Sequence, residues 1–91
     1  MKVFAKTSVG GGKKHCGTDY YVFMSEPSRF DGIKENIFSL LAVGYSDGVA
    51  VDYSFIFDLC RDEAFALDVL EKLRKNRVMP CHVKDVVLDL L

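Results

Sequence analysis

The pair Asp47-Gly48 constrains the fold of this 91-residue chain more than any other feature, because apolar runs flank it on both sides. Both residues readily adopt the positive φ angles of a two-residue type I′ turn, which joins antiparallel strands. The sequence therefore predicts a β-hairpin centred on this pair. If the two strands continue without a bulge, Tyr53 lies opposite Ala42.

The second strand of this hairpin has a period-two pattern, which is typical of a strand with one buried face. Large apolar side chains alternate with small or polar ones over residues 49–58, and only Ile56 departs from the pattern. The large rings would lie opposite Ala42 and Gly44, where they can pack without overlap. We expect the core to contain Val49, Val51, Tyr53, Phe55 and Phe57.

Two further strands are predicted in the N-terminal part of the chain. Residues 1–9 alternate between apolar and polar side chains, although Phe4 interrupts the pattern. Residues 19–25 are rich in Tyr, Val and Phe on both faces, which predicts a strand inside the sheet. The glycine-rich segment Gly10–Gly17 between them predicts a hairpin loop.

The region before the central hairpin gives mixed indications. Glu26–Gly32 contains turn-forming residues and predicts a connector. Residues 33–39 fit either a short helical turn, through Ile33 and Ile37, or the beginning of a strand. In either case, two N-terminal strands precede the hairpin.

Two amphipathic helices are predicted after the hairpin. Asp62 and Glu63 suit the positive end of a helix dipole and predict a helix that begins there. Asn76, which tolerates left-handed backbone, predicts its end, and Pro80 predicts the first turn of the second helix. The apolar stripe of the first helix is Ala66, Val69, Leu70 and Leu73, and that of the second is Val83, Val86, Val87, Leu90 and Leu91.

These elements predict one α+β domain over residues 1–91, with a four-stranded, mainly antiparallel sheet followed by two C-terminal helices packed on one face. A domain of this size is marginally stable alone. Its mean hydropathy of +0.11 is high for a small chain that must cover its own surface. Both observations favour burial against a second copy or another protein.

Charge and composition exclude several classes of partner. The formal net charge is −1, so the overall charge does not direct the chain to nucleic acid or to an anionic membrane. The apolar runs are too short for a transmembrane helix, and we expect no targeting segment. Three cysteines without a paired spacing favour reduced thiols and a cytoplasmic location.

The glycine-rich segment is a candidate site for a small ligand or an anion. Its backbone N–H groups and its two lysines could hold a phosphate. The glycine patterns of P-loops and of dinucleotide-binding folds are both absent. The candidate binding residues are Gly11, Gly12, Lys13, Lys14 and His15.

The cysteines and histidines do not have the spacing of a metal or catalytic site. Cys16, Cys60 and Cys81, with the two histidines, match no zinc-binding pattern. Neighbouring Cys and His side chains point in different directions, so a catalytic pair would need Cys16 beside His82 or Cys81 beside His15. We expect a non-enzymatic protein with no catalytic residue, no metal site and no cofactor.

The C-terminal third carries a more specific pattern. Pro80, His82, Asp85 and Asp89 stand at fixed offsets among apolar residues, after a charged amphipathic helix. Residues 58–91 resemble a family of short proteins of unknown function from Gram-positive, spore-forming anaerobic bacteria of the clostridial type. The resemblance implies N-terminal strands, a helical C-terminus, a bacterial cytoplasmic protein, and no assigned activity.

The sequence predicts two surface regions that could contact a partner. The sheet face turned away from the helices is expected to be too apolar for a solvated face, and therefore to be an interface. Its predicted residues are Tyr21, Phe23, Leu41, Val43, Tyr45 and Ile56. His82, Asp85 and Asp89 either support the last helix, for instance through a pair between His82 and Asp85, or form a second docking face.

We therefore expect a protein-interaction or regulatory module. Its partner would be a second copy, giving a homodimer, or another protein, with no nucleic acid and no membrane. The alternative is a small-ligand or anion-binding domain that uses Gly10–Gly17.

Overall fold

The computed structural model describes residues 2–10, 16–26 and 36–90. Four strands precede two helices, as the sequence predicts: β1 (Lys2–Gly10), β2 (Gly17–Ser25), β3 (Ile37–Ser46), β4 (Val49–Cys60), α1 (Glu63–Lys75) and α2 (Pro80–Leu90). All neighbouring strands are antiparallel, and they lie in the order β1-β2-β3-β4. The fold is α+β, with both helices packed on the sheet.

The turn between β3 and β4 has the predicted geometry. Asp47 and Gly48 both have positive φ angles, 52° and 79°, as a type I′ turn requires. Immediately beyond the turn, Tyr45 pairs with Ala50, as it would in a regular hairpin. The local sequence thus determines where the hairpin turns.

The register of β4 departs from the prediction close to the turn. Gly44 pairs with Asp52, because a β-bulge displaces β4 by one residue relative to β3. Successive side chains of a strand point to opposite faces, so this displacement reverses the side chains of residues 53–56, before a second register shift near the end of β4. The predicted core face of this strand is therefore wrong. Its large apolar residues are exposed, at 63% for Val49, 65% for Val51, 73% for Tyr53, 38% for Phe55 and 61% for Phe57.

The residues that broke the predicted alternation belong to the core. Ile56 lies opposite Leu40 and packs against the core, on the face of β4 that the helices cover. Phe4 lies at a bulge of β1, and its ring centroid is 5.2 Å from that of Phe38. Phe4 therefore marks an irregular stretch of pairing, whereas Ile56 reaches the core because the bulge earlier in β4 has changed the face of the residues that follow it.

The core lies between the helices and one face of the sheet. The buried core includes the whole predicted stripe of α1 and two residues of the predicted stripe of α2, Val83 and Val87. Val86 and Leu90 of the α2 stripe are partly buried and pack against this core. The buried apolar residues of this cluster are Tyr20, Val22, Phe38, Leu40, Ala42, Leu59, Ala66, Val69, Leu70, Leu73, Val78, Val83 and Val87. Neither helix has the length and apolar character of a membrane span, as judged over the described ranges.

Helix α1 begins where the sequence predicts. The Asp62 side chain accepts a hydrogen bond of 3.0 Å from the backbone N–H of Ala64. This contact satisfies a donor that the first helical turn leaves without an intrahelical acceptor. Asp62 is therefore the N-cap of α1.

Helix α1 ends at the predicted Asn76, which is its C-cap, but the residue with left-handed backbone is the next one. The backbone N–H of Val78 donates to the carbonyl of Leu73 at 3.1 Å, and that of Arg77 donates to the carbonyl of Arg74 at 3.2 Å. These two bonds form a Schellman motif. Its left-handed residue is Arg77, with φ 51°, and not the predicted Asn76, whose φ is −92°.

A buried hydrogen bond joins the centre of the sheet to the connection between the helices. The Tyr20 hydroxyl donates to the carbonyl of Val78, and both side chains are buried. Burial raises the pKa of Tyr20 above its ordinary value. The neutral phenol is therefore the form that the fold favours.

Candidate interaction surface

The sheet face opposite the helices carries rows of aromatic and aliphatic side chains. Tyr21 pairs with Leu41, and Leu41 pairs with Phe55, across β2, β3 and β4. The neighbouring row includes Val43 and Tyr53. Residues directly opposite each other on antiparallel strands share a face, so this apolar surface runs without a break to the β4 edge. We call it the outer face.

Most of the predicted contact residues of the sheet lie on the outer face. The half-buried ones are Tyr21, Phe23, Leu41, Val43 and Tyr45. The rings of Tyr21 and Phe23 stack, with their centroids 6.0 Å apart. Ile56 is the exception, because it packs against the core on the opposite face.

The sequence interpretation missed Tyr53 and Phe55 as surface residues. The bulge next to Gly44 transfers both side chains from the predicted core to the outer face. A glycine inside a strand often marks a bulge, and Gly44 was the available indication. The outer face is therefore larger than the sequence predicts, and it extends onto an edge strand.

The β1 side of the outer face ends in a polar cluster. Asp19 accepts hydrogen bonds from the hydroxyls of Ser8, at 2.7 Å, and Tyr21, at 3.3 Å. The Lys6 amino group lies 4.0 Å from the Asp19 carboxylate and 5.2 Å from the centre of the Tyr21 ring. Burial raises the pKa of Tyr21, and the nearby charge of Asp19 adds to this effect. The polar groups here already have partners within the chain.

The β4 edge differs from the β1 edge in its lysine content and in the regularity of its strand pairing. β1 carries Lys2, Lys6 and a bulge, which are the features that usually protect a sheet edge from pairing with another chain. β4 contains no lysine, and residues 52–56 pair with β3 without a bulge. Asp52 is the only charged residue in that regular stretch.

A groove lies between β4 and α2, on the helix side of the same edge. Its volume is about 380 Å³, and its lining is mainly apolar: Phe55, Ile56, Asp58, Leu59, Lys84, Val87 and Leu88. Leu88 is 69% exposed at its border. Lys84 forms no ion pair with any other residue that the structure describes. The β4 edge thus has apolar surface on both sides.

The other predicted site residues lie elsewhere. Gly11, Gly12, Lys13, Lys14 and His15 lie outside the described residues, so the anion site stays a prediction. Among the described residues, an open cleft of about 460 Å³ lies between Gly10, Gly17 and Tyr45.

The predicted helical contact residues are separated from the outer face. His82, Asp85 and Asp89 are all exposed on α2. Because α2 packs on the other side of the sheet, the structure does not bring the two predicted contact regions together.

The described residues contain no metal-binding cluster, and one of their cysteines is partly buried. Within the described ranges, no group of three or more His, Cys, Asp or Glu residues could hold a metal ion. The Cys60 thiol donates to the carbonyl of Asp62 at 3.4 Å, and burial raises its pKa. A raised pKa keeps the thiol protonated, whereas a nucleophilic cysteine needs the thiolate.

Comparison of the chain with protein-family models, with curated proteins and with solved structures returns no match. The outer face and the β4 edge are therefore the features on which a proposal of function rests.

Proposed function

We propose that the chain is a non-enzymatic protein-interaction or regulatory module that forms homodimers through the β4 side of its sheet. The observation that carries this proposal is the exposure of β4, where Val51, Tyr53 and Phe57 are each more than 60% exposed. Removing apolar surface from water contributes about 25 cal/mol per Å². Burial of this strand against a second copy would therefore stabilise a small domain.

The size of the surface also supports an interface. Tyr53, Phe55 and their half-buried neighbours expose apolar area on the order of 500 Å², near the upper end for the largest patch of a monomeric protein. The other exposed side chains of β4, Val49, Val51 and Phe57, add apolar area along the same edge.

We place this module in the cytoplasm. Three cysteines without a paired spacing favour a reducing compartment. The resemblance of residues 58–91 to the Gram-positive family stays a prediction, and it supports a non-enzymatic role because it brings no catalytic residue. A net charge of −1 supports a protein partner over nucleic acid.

Sedimentation velocity across a range of protein concentrations tests the proposed homodimer. We expect a reversible dimer at micromolar concentration, and we expect Phe55→Ser to shift it to monomer. Leu67→Ser is the matched control, because Leu67 on α1 is 40% exposed against 38% for Phe55. The control variant should still dimerise. A wild-type chain that sediments as a monomer at every concentration would contradict the proposal.

A further inference from the structure

We propose that two copies of this chain join by antiparallel pairing of their β4 edges, with the two Ser54 residues on the two-fold axis. This inference rests on the proposed homodimer and specifies its geometry. Backbone hydrogen bonds would join the two four-stranded sheets into a single continuous sheet, as in other cases of strand addition at a free edge.

The backbone N–H of Tyr53 shows which residues of β4 face the open edge. It donates to the Asp52 carboxylate of its own chain at 2.8 Å, so it is not used for pairing with β3. In an antiparallel strand, alternate residues direct both the N–H and the C=O to the same side. Tyr53 and Phe55 therefore direct their backbone groups outward, while Asp52, Ser54 and Ile56 pair with β3.

This alternation limits the registers that a second copy can adopt. Outward residues must face outward residues if both strands are to exchange hydrogen bonds. With Ser54 on the axis, Tyr53 faces the second copy's Phe55, which makes a favourable aromatic pair across the strands. A register with Phe55 opposite itself would place Asp52 opposite the second copy's Asp58, and facing like charges are unfavourable.

Lys84 supplies charge complementarity for the register centred on Ser54. In that register the second copy's Asp52 lies opposite Ile56, which lines the groove together with Lys84. Asp52 then exchanges its contact with the Tyr53 N–H for an ion pair with the second copy's Lys84. The released N–H donates to the second copy's Phe55 carbonyl. The two-fold axis repeats these contacts, so the proposed dimer contains two such ion pairs and two such backbone hydrogen bonds.

The opposite edge of the sheet does not offer the same contacts. A strand pairing with β1 would meet the charges of Lys2 and Lys6 and the bulge at Phe4. The regular, lysine-free stretch belongs to β4, so the strand that fits β4 is a second β4.

Charge reversal with mixing tests this geometry. Asp52→Lys and Lys84→Asp each place like charges at both symmetric contacts, so each variant alone should dimerise roughly tenfold more weakly. A mixed dimer with one copy of each variant has opposite charges at both contacts. We expect its affinity to return to the wild-type level, a recovery that contacts within one chain cannot produce.

Backbone substitution provides a second, independent measurement. Methylation of the Tyr53 amide nitrogen, introduced by chemical ligation, removes a donor that the β3 pairing does not use. It should leave the circular dichroism of the domain unchanged and shift the dimer to monomer. Val43→Lys is the matched control, because Val43 lies on the outer face one strand away from the edge, and this variant should still dimerise.

The outcomes separate this inference from the proposed function. One outcome overturns the edge geometry alone: the wild type dimerises, the mixed variants show no recovery of affinity, and Val43→Lys abolishes the dimer. The two copies then pack through their outer faces and not through their β4 edges. The homodimer itself would then stand. A wild type that is monomeric at all concentrations overturns both.

Discussion

Gly44 on β3 lies against the ring of Pro80, the first residue of α2, so closely that a Cβ atom on Gly44 would come within 3.2 Å of the Pro80 Cγ. Both residues are buried. The missing side chain of Gly44 is what allows the start of α2 to approach the sheet. The helix therefore begins at a position set by packing as well as by the preference of proline for a first turn.

We expect Gly44→Ala to lower the free energy of unfolding by about 1–2 kcal/mol, because the added methyl group overpacks this contact. Pro80→Ala in the same chain removes the ring that the methyl group would meet. The two substitutions together should then cost less than the sum of their separate effects. Denaturant titration of the four proteins measures this coupling, and strictly additive effects would argue against the close approach.

The hydrogen bond between Tyr20 and Val78 predicts a loss of stability in Tyr20→Phe. The substitution leaves the buried Val78 carbonyl without its donor and should cost about 1–3 kcal/mol in the free energy of unfolding. Chemical denaturation near neutral pH measures the difference. A variant as stable as the wild type would show that the hydroxyl contributes nothing.

The same residue predicts a pH dependence on the alkaline side. Burial raises the pKa of Tyr20 above its ordinary value of 10.0, so the phenol ionises more readily in the unfolded chain. Its contribution to stability is complete below the unfolded pKa and is lost as the pH rises through the folded pKa. Wild-type stability should therefore fall more steeply above pH 10.0 than that of Tyr20→Phe, and parallel curves would refute this.

The register of β4 predicts that the chain tolerates deletion of Val51. This residue is the additional one in the bulge, so its removal leaves Gly44 opposite Asp52 and keeps later side chains on their present faces. We expect a folded protein whose stability changes by about 1 kcal/mol or less. Deletion of Ser54 should unfold the domain instead, because it turns Ile56 out of the core. Amide chemical-shift dispersion distinguishes these results.

The Schellman motif of α1 predicts a stabilising substitution. Arg77 adopts φ 51°, a conformation that costs a residue with a Cβ atom more than it costs glycine. Arg77→Gly should raise the free energy of unfolding by about 0.5–1 kcal/mol. Asn76→Gly is the control, because φ at Asn76 is −92°, and this variant should gain nothing.

The elements of this fold are predictable because their determinants are local. The turn at Asp47 and Gly48, the cap at Asp62 and the first turn at Pro80 each depend on a few neighbouring residues, and the structure has all of them where they are predicted. The apolar stripe of α1 is also buried as predicted. The left-handed residue after that helix is Arg77 and not Asn76, because asparagine favours this conformation without being required there.

The face of β4 was not predictable in the same way. A bulge changes the register by one residue without any strong local pattern, and the consequence is that residues 53–56 turn their side chains to the opposite faces, up to a second register shift near the end of β4. Apolar alternation ordinarily indicates burial, yet in β4 the alternating residues are the exposed ones. Gly44 inside β3, and Phe4 and Ile56, which break the pattern in their strands, carried the information about the bulges. The face on which the predicted residues of β2 and β3 lie is accordingly the predicted one, whereas Tyr53 and Phe55 were assigned to the wrong face.

The unequal edges of the sheet have a consequence for how large an assembly can grow. In the proposed dimer, each end of the joined sheet would be a β1 strand that carries Lys2, Lys6 and a bulge. Fibre growth requires every copy to offer two compatible surfaces, whereas a self-complementary contact is saturated after one partner. A protein in which one sheet edge self-associates and the other edge resists pairing can thus expose an apolar strand and still form a discrete oligomer instead of an aggregate.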